Sequence, residues 1–139
     1  PGDLEALVKE RFKRYDVIKS KEQRSESYMA DDAEFIVVAY GASSRVCKSA
    51  VKAARAEGIK VGLIRPITLW PFPTDAMQQA AKTAKHFLTV EMSMGQMVDD
   101  VRLAVNGAVP VSFFGHTGGI IPSPAEVLGE IKKLAGGAK

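Results

Sequence analysis

A short segment after an apolar run combines a glycine, two hydroxyl groups and a cation, a composition suited to binding an anion. The segment Gly41-Ala42-Ser43-Ser44-Arg45 runs from a predicted strand into a predicted helix, where free backbone N–H groups attract negative charge. Gly41, Ser43, Ser44 and Arg45 are the candidate anion-binding residues. A structural role is the commoner reason for such a pattern, because Gly41 permits a tight turn and a serine caps the helix. A dinucleotide fingerprint and a Walker loop are both absent from the sequence.

Three other residue types could serve proton transfer, metal binding or nucleophilic attack. His116 lies in the glycine-rich segment 115–119, but the one other histidine, His86, falls at the opposite end of its strand, which argues against zinc. Glu91 follows a strand without a visible partner for acid–base work. Cys47 is interpreted as a small packing residue of a helix. We therefore predict no catalytic residue and no metal site in the chain.

Four basic residues recur three and four positions apart along the helix that follows the Gly41 segment. They are Arg45, Lys48, Lys52 and Arg55, and this spacing places them on one helical face. Such a stripe is usually a solvated surface, but it would also suit an acidic partner such as a small electron carrier.

A proline-rich stretch, Arg65 to Pro73, carries several apolar and aromatic side chains, Trp70 and Phe72 among them. Its three prolines exclude a helix or a central strand. We expect a rigid apolar loop that either folds back on its own domain or forms a contact surface.

Alternating strands and helices would position these residues. Continuous apolar runs predict buried strands, and strands separated by helices imply right-handed crossovers. We predict a three-layer αβα sandwich with a mostly parallel sheet. Its most apolar strand, 35–40, is expected at the centre, which places the Gly41 segment where ligands bind in such sheets. The predicted strands are 35–40, 61–64, 87–90 and 111–114, with helices at 44–57, 73–85, 96–106 and 123–134.

The first part of the chain has a different pattern. Apolar residues from Leu4 to Ile18 repeat three and four apart, which predicts a helix from Asp3 to about Lys19 whose apolar face needs a cover. A short edge strand is predicted at 25–29. We divide the chain into residues 1–30, a helix with a linker or edge strand, and residues 31–139, the α/β domain.

Composition narrows the class of protein. The 139 residues, 46% hydrophobic with a net charge of +3, suit one globular domain and neither a membrane span nor a nucleic-acid-binding surface. A single cysteine fits a reducing compartment, so a cytoplasmic location is expected. The start at Pro1 shows no secretory leader, and we interpret the chain as a trimmed part of a longer protein.

Three stretches of the sequence together resemble a known family. They are residues 38–45, 58–73 and 90–102. The resemblance is to the α subunit of 2-oxoacid:ferredoxin oxidoreductases, of the 2-oxoglutarate and 3-methyl-2-oxobutanoate type. It covers about residues 4–134 in order and implies the C-terminal domain of that subunit, similar to the C-terminal domain of transketolase. It further implies a sheet of about five strands with an antiparallel edge strand.

The resemblance also implies what the parent enzyme does. Such an enzyme decarboxylates a 2-oxoacid on thiamine diphosphate with Mg, passes electrons through iron–sulfur clusters to ferredoxin and forms an acyl-CoA. The segments that bind these cofactors lie outside this chain, so we expect no cofactor here and no catalysis by the domain alone. The parent enzyme would be a hetero-oligomer.

The domain itself is expected to serve assembly and to shape the active-site entrance. Many relatives would have arginine where this chain has His116. The rival hypothesis is an independent nucleotide- or phosphate-binding module that uses residues 41–45. The residues predicted to contact other domains or subunits are Trp70, Phe72, Met94, Gln96 and His116.

Overall fold

The structure is a computed structural model that describes residues 1–137. Strands and helices alternate after the first helix. No helix within this range has both the length and the apolar character that a bilayer crossing requires. The helices are α1 (Gly2–Lys21), α2 (Gly41–Ala56), α3 (Thr74–Ala81), α4 (Met97–Val105) and α5 (Pro124–Gly137), and the strands are β1 (Ser25–Tyr28), β2 (Phe35–Val38), β3 (Val61–Pro66), β4 (His86–Glu91) and β5 (Val111–Gly115).

The strands form one sheet in the order β1-β3-β2-β4-β5. Strand β1 runs antiparallel to β3, and the other neighbouring pairs are parallel. Strand β2 is central and all four of its residues are buried, as the continuous apolar run predicts. The predicted mostly parallel sheet of about five strands with an antiparallel edge strand is confirmed.

Helices cover both faces of the sheet. Successive residues of β2 point to opposite faces, so Val37 packs with α2 and α5, whereas Ile36 packs with α3 and α4. Val51 and Ile131 close the first layer, and Phe87 lies in the second. The two apolar clusters give the predicted three layers.

Several element boundaries differ from the sequence prediction: α3 ends at Ala81, not at residue 85, and two further differences bear on the candidate site. Helix α2 begins at Gly41, not at Ser44, so the predicted anion-binding loop is its first turn. Strand β3 continues to Pro66, although proline disfavours a central strand. It fits because the last two residues of β3 pair only with β1, as in Ser25 opposite Pro66, and proline is tolerated beside a sheet edge.

Helix α1 is 20 residues long and buries none of its side chains. Leu4 is 65% exposed and Phe12 56% exposed. Its aromatic contact with the body of the domain joins Tyr15 to Trp70, whose ring centroids are 5.6 Å apart in an edge-on arrangement. Most of the apolar face of α1, for which the sequence predicts a packing partner, is therefore exposed to solvent within the described residues.

Candidate functional site

The carboxyl ends of β2, β4 and β5 form one edge of the sheet, and the candidate residues lie along this edge. Strand β3 lies on one side of β2 and β4 on the other, so the chain leaves β2 and β4 in opposite directions. A crevice outside the strand ends at such a reversal is where α/β sheets bind ligands. The segments there are 39–45, 91–96 and 115–119.

The first turn of α2 holds the predicted anion-binding residues together. Gly41 has a positive φ of 58°, which suits glycine. The Ser44 hydroxyl donates to the Gly41 carbonyl at 2.7 Å, so its proton is already used. Ser43 is buried and Arg45 is exposed. This arrangement agrees with the structural role for Gly41 and Ser44, and anion binding by the segment stays a prediction.

Glu91 is a buried helix cap. Its side chain is at the end of β4, 2% exposed, and its carboxylate accepts the backbone N–H groups of Gln96, Met97 and Val98 at 2.8 to 3.2 Å. These groups open α4, where a negative charge is favourable. Both carboxylate oxygens accept backbone hydrogen bonds, so Glu91 stabilises the turn into α4. The sequence did not reveal this role, because it shows no partner side chain for Glu91.

His116 belongs to a polar cluster at the start of α5. Its Nε2 lies 3.0 Å from Glu126 Oε1, and its ring is edge-on to Phe114. Ser123 donates its N–H and its hydroxyl to Glu126 at 2.8 Å, while the Glu126 N–H donates back to the Ser123 hydroxyl at 3.2 Å. This reciprocal pair is a capping box, and it confirms the predicted helix start at Ser123-Pro124.

The hydrogen bonds from Ser123, with a further one from His116, lower the pKa of Glu126 from 4.5 to about 2. A carboxyl group whose pKa is depressed by folding stabilises the native state above its unfolded pKa, and this contribution is lost as the pH falls towards the folded value. We therefore expect Glu126→Gln to lower Tm by a few degrees above pH 4.5 and to have little effect near pH 2. Thermal unfolding measured across this range tests the expectation. Glu130→Gln on the same helix is the control, and an equal Tm difference at every pH would contradict it.

Cys47 is fully buried in α2. Burial raises the pKa of its thiol to about 12, which keeps it protonated and unreactive near neutral pH. In the described part of the chain, no group of three or more His, Cys, Asp or Glu side chains is placed to hold a metal ion.

The basic stripe is shorter than the sequence pattern indicates. Arg55 binds Asp32 through two hydrogen bonds and also donates to the carbonyls of Met29 and Val61. The hydrogen bond from Arg55 lowers the pKa of the Asp32 carboxyl. Arg55 thus ties the β1–β2 connection to β3. The exposed stripe is Arg45, Lys48 and Lys52.

The proline-rich loop is partly packed on its own domain and partly exposed. Phe72 is half-buried against the α3–α4 layer, whereas Trp70 is 56% exposed beside Tyr15. On the carboxyl edge, Met94 is 84% exposed and Gln96 is exposed. Contact of these residues with other domains or subunits stays a prediction.

Comparison with known proteins finds one family over most of the domain. Residues 33–127 match the family described as pyruvate:ferredoxin oxidoreductase core domain II. A ketoisovalerate oxidoreductase subunit VorB from Methanothermobacter thermautotrophicus is 49% identical over 88% of this chain and 35% of its own length. A 2-oxoglutarate synthase subunit KorA from Methanothermobacter marburgensis is 42% identical over 73% of this chain and 27% of its own. The chain spans about a third of the length of these relatives.

Solved structures share the fold at lower sequence identity. A 2-oxoglutarate:ferredoxin oxidoreductase from Magnetococcus marinus, with 2-oxoglutarate, coenzyme A and succinyl-CoA bound, superposes with a TM-score of 0.83 at 21% identity, over 96% of this chain and 23% of that one. A split-gene transketolase in an inactive tetramer superposes at 0.68 and 19% identity, over 79% of this chain and 40% of that one. The expected likeness to the transketolase C-terminal domain is confirmed at the level of the fold.

Proposed function

We propose, since this chain belongs to the pyruvate:ferredoxin oxidoreductase core domain II family, that it is the C-terminal domain of an α subunit in a 2-oxoacid:ferredoxin oxidoreductase. The parent enzyme would convert a 2-oxoacid to an acyl-CoA with loss of CO₂ and reduction of ferredoxin. The observation that carries the proposal is the 49% identity to an oxidoreductase subunit over 88% of the chain. An independent nucleotide-binding module is not favoured, because the relatives are oxidoreductase subunits.

The described residues do not fit the cofactors that this chemistry requires. An iron–sulfur cluster needs several thiolates, whereas Cys47 is the one cysteine of the chain, is buried and has a raised thiol pKa. No acidic or histidine cluster in residues 1–137 suits Mg. We therefore propose that the iron–sulfur clusters and Mg, with its thiamine diphosphate, are held by other parts of the parent enzyme, and that coenzyme A serves the reaction of that enzyme as a whole.

The contribution of this domain would be assembly and the shape of the active-site entrance. No side chain of α1 is fully buried, so packing stabilises this helix little within the described residues. We therefore propose that residues 1–30, and α1 in particular, attach the α/β body of residues 31–139 to the rest of the subunit. Trp70 and Tyr15 form the aromatic centre of this contact, and Phe12 extends it, with its ring 5.6 Å from that of Tyr15. We call the exposed aromatic surface formed by Phe12 and Tyr15 of α1, together with the neighbouring Trp70, the α1 face.

The carboxyl edge supplies the second contact. Met94, Gln96 and His116 lie on segments at this edge, where a neighbouring subunit would meet the ends of the strands. We propose a cytoplasmic hetero-oligomer that uses ferredoxin, without contact to nucleic acid or membrane. On this proposal, the 2-oxoacid would be selected mostly by residues outside this domain.

Two assays test this function. The chain alone, supplied with thiamine diphosphate, coenzyme A, 3-methyl-2-oxobutanoate and an electron acceptor, should give no turnover, and turnover by the chain alone would overturn the proposal. In the parent complex, Tyr15→Ser with Trp70→Ser should weaken the packing of this domain on the rest of its subunit by about 30-fold, since buried aromatic anchors dominate such contacts; the rate of limited proteolysis between the two parts measures it. Leu103→Ser is the matched control, because Leu103 is apolar and 78% exposed on α4. An unchanged proteolysis rate of the double variant would refute the α1 face.

A further inference from the structure

A cavity of about 170 Å³ lies beside the start of α2, between that helix and the edge of the sheet. Its inner wall is apolar, formed by the buried Leu63 and the half-buried Tyr28. The charged side chains that line it are Glu26, Arg45, Lys48 and Arg65. We call it the Tyr28 cavity.

Within the described part of the chain, two of the three cations at the Tyr28 cavity have no carboxylate partner. Arg65 is neutralised by Glu26, whose Oε2 lies 2.6 Å from Nη2 and 2.9 Å from Nε. In residues 1–137, Arg45 and Lys48 form no ion pair. The Lys48 Nζ lies 4.7 Å from the centroid of the Tyr28 ring, so its charge is held at the cavity wall. Of the nine other cations in residues 31–137, Lys52, Lys60 and Lys82 also lack an ion pair, and six pair with carboxylates: Arg55, Arg65, Lys85, Arg102, Lys132 and Lys133.

The start of α2 is not a favourable place for the Arg45 cation. Arg45 is the fifth residue of α2, close to the positive end of the helix dipole, and Lys48 lies almost one turn further on. The first turn of α2 has no acidic residue, whereas those of α1, α3, α4 and α5 each have at least one. The domain thus concentrates positive charge at the mouth of a cavity with an apolar wall.

We propose that the Tyr28 cavity binds a small carboxylate that carries a short apolar group. The carboxylate would lie between Arg45 and Lys48, since a guanidinium group can bind both oxygens of a carboxylate. The apolar group would pack on Leu63 and Tyr28. The cavity has the volume of about six water molecules at ~30 Å³ each, whereas pockets for larger ligands start at about 300 Å³. This inference goes beyond the proposed function and does not depend on it.

Backbone amide NMR of the chain, titrated with 3-methylbutanoate, tests the proposal. We expect shifts at the amides of Tyr28, Ser44, Leu63 and Arg65. Two probes separate the contribution of the negative charge from that of the apolar group. The amide 3-methylbutanamide has the same shape without the charge, and inorganic phosphate has a negative charge without the apolar group. Each should bind at least about tenfold more weakly. No shifts with up to about 50 mM 3-methylbutanoate, or phosphate binding as tight as the carboxylate, would overturn the proposal.

Paired substitutions locate the site. Arg45→Gln with Lys48→Gln should weaken 3-methylbutanoate binding by about 30-fold, because both charges that hold the carboxylate are removed. Lys52→Gln is the matched control, since Lys52 is exposed on the same helix and does not line the cavity. Equal binding by the double variant and the Lys52 control would assign the shifts to another surface and refute the site.

Discussion

Replacing Glu91 by alanine should lower the free energy of unfolding by about 4 kcal/mol, because a buried backbone donor that loses its acceptor costs about 1–3 kcal/mol. The Met97 N–H donates to Glu91 at 2.8 Å and the Val98 N–H at 3.0 Å, both in buried positions. Alanine cannot accept these bonds, and it removes the negative charge at the start of α4. Urea denaturation monitored by circular dichroism measures the change.

Two further variants separate the cap from a general effect of charge. Glu91→Gln retains one acceptor oxygen and should lose about half as much stability. Glu57→Ala removes an exposed ion pair, in which Glu57 Oε2 lies 2.7 Å from Lys132 Nζ. It should lower the free energy of unfolding by less than about 0.5 kcal/mol, because water screens such pairs. The capping role would be wrong if Glu91→Ala unfolded at the same urea concentration as the Glu57 variant.

A methyl group at Gly62 should lower the free energy of unfolding by about 3 kcal/mol, at the upper end of what overpacking costs. The Cβ of alanine would lie 2.6 Å from the Ala30 Cα and 2.6 Å from the Met29 carbonyl oxygen. That connection cannot easily retreat, because Arg55 donates to the Met29 carbonyl at 2.6 Å. Thermal or urea unfolding of Gly62→Ala gives the value.

Gly129→Ala is the matched control for Gly62→Ala. Gly129 is inside α5, and the Cβ of an alanine there would have no neighbouring atom within 4 Å. Alanine at this position should raise the free energy of unfolding by about 0.5–1 kcal/mol through its higher helix propensity. A destabilised Gly129 variant, or a Gly62 variant as stable as the original chain, would contradict the packing around β3.

The order of strands and helices follows from local patterns in the sequence. The continuous apolar run at Phe35 predicts a strand with both faces covered, since only a central strand can bury every residue. Gly58 follows the last turn of α2 with a positive φ of 85°, the conformation in which glycine commonly ends a helix. Ser123-Pro124 likewise marks the start of α5. These signals are contained in neighbouring residues, and the structure agrees with them.

Long-range contacts decided the roles that the sequence did not reveal. The spacing of Arg55 from Lys52 and Lys48 indicates a solvated side chain on the same helical face. In the structure, Arg55 forms an ion pair with Asp32, which is 23 positions away in the sequence. Glu91 resembles a free carboxylate in the sequence because its partners are backbone N–H groups, which leave no trace in residue types. The Tyr28 cavity joins residues of β1, β3 and α2, and no periodicity within one element indicates such a meeting.

The exposed surface of α1 makes its length tolerant of change. Each residue added to a helix turns the chain before it by about 100° and moves it by about 1.5 Å. Because no side chain of α1 is buried, an insertion or deletion near the start of this helix would leave the layers around β2 packed. If α1 joins this domain to the rest of a subunit, as proposed, such a change would alter the orientation of the two parts at little cost to folding.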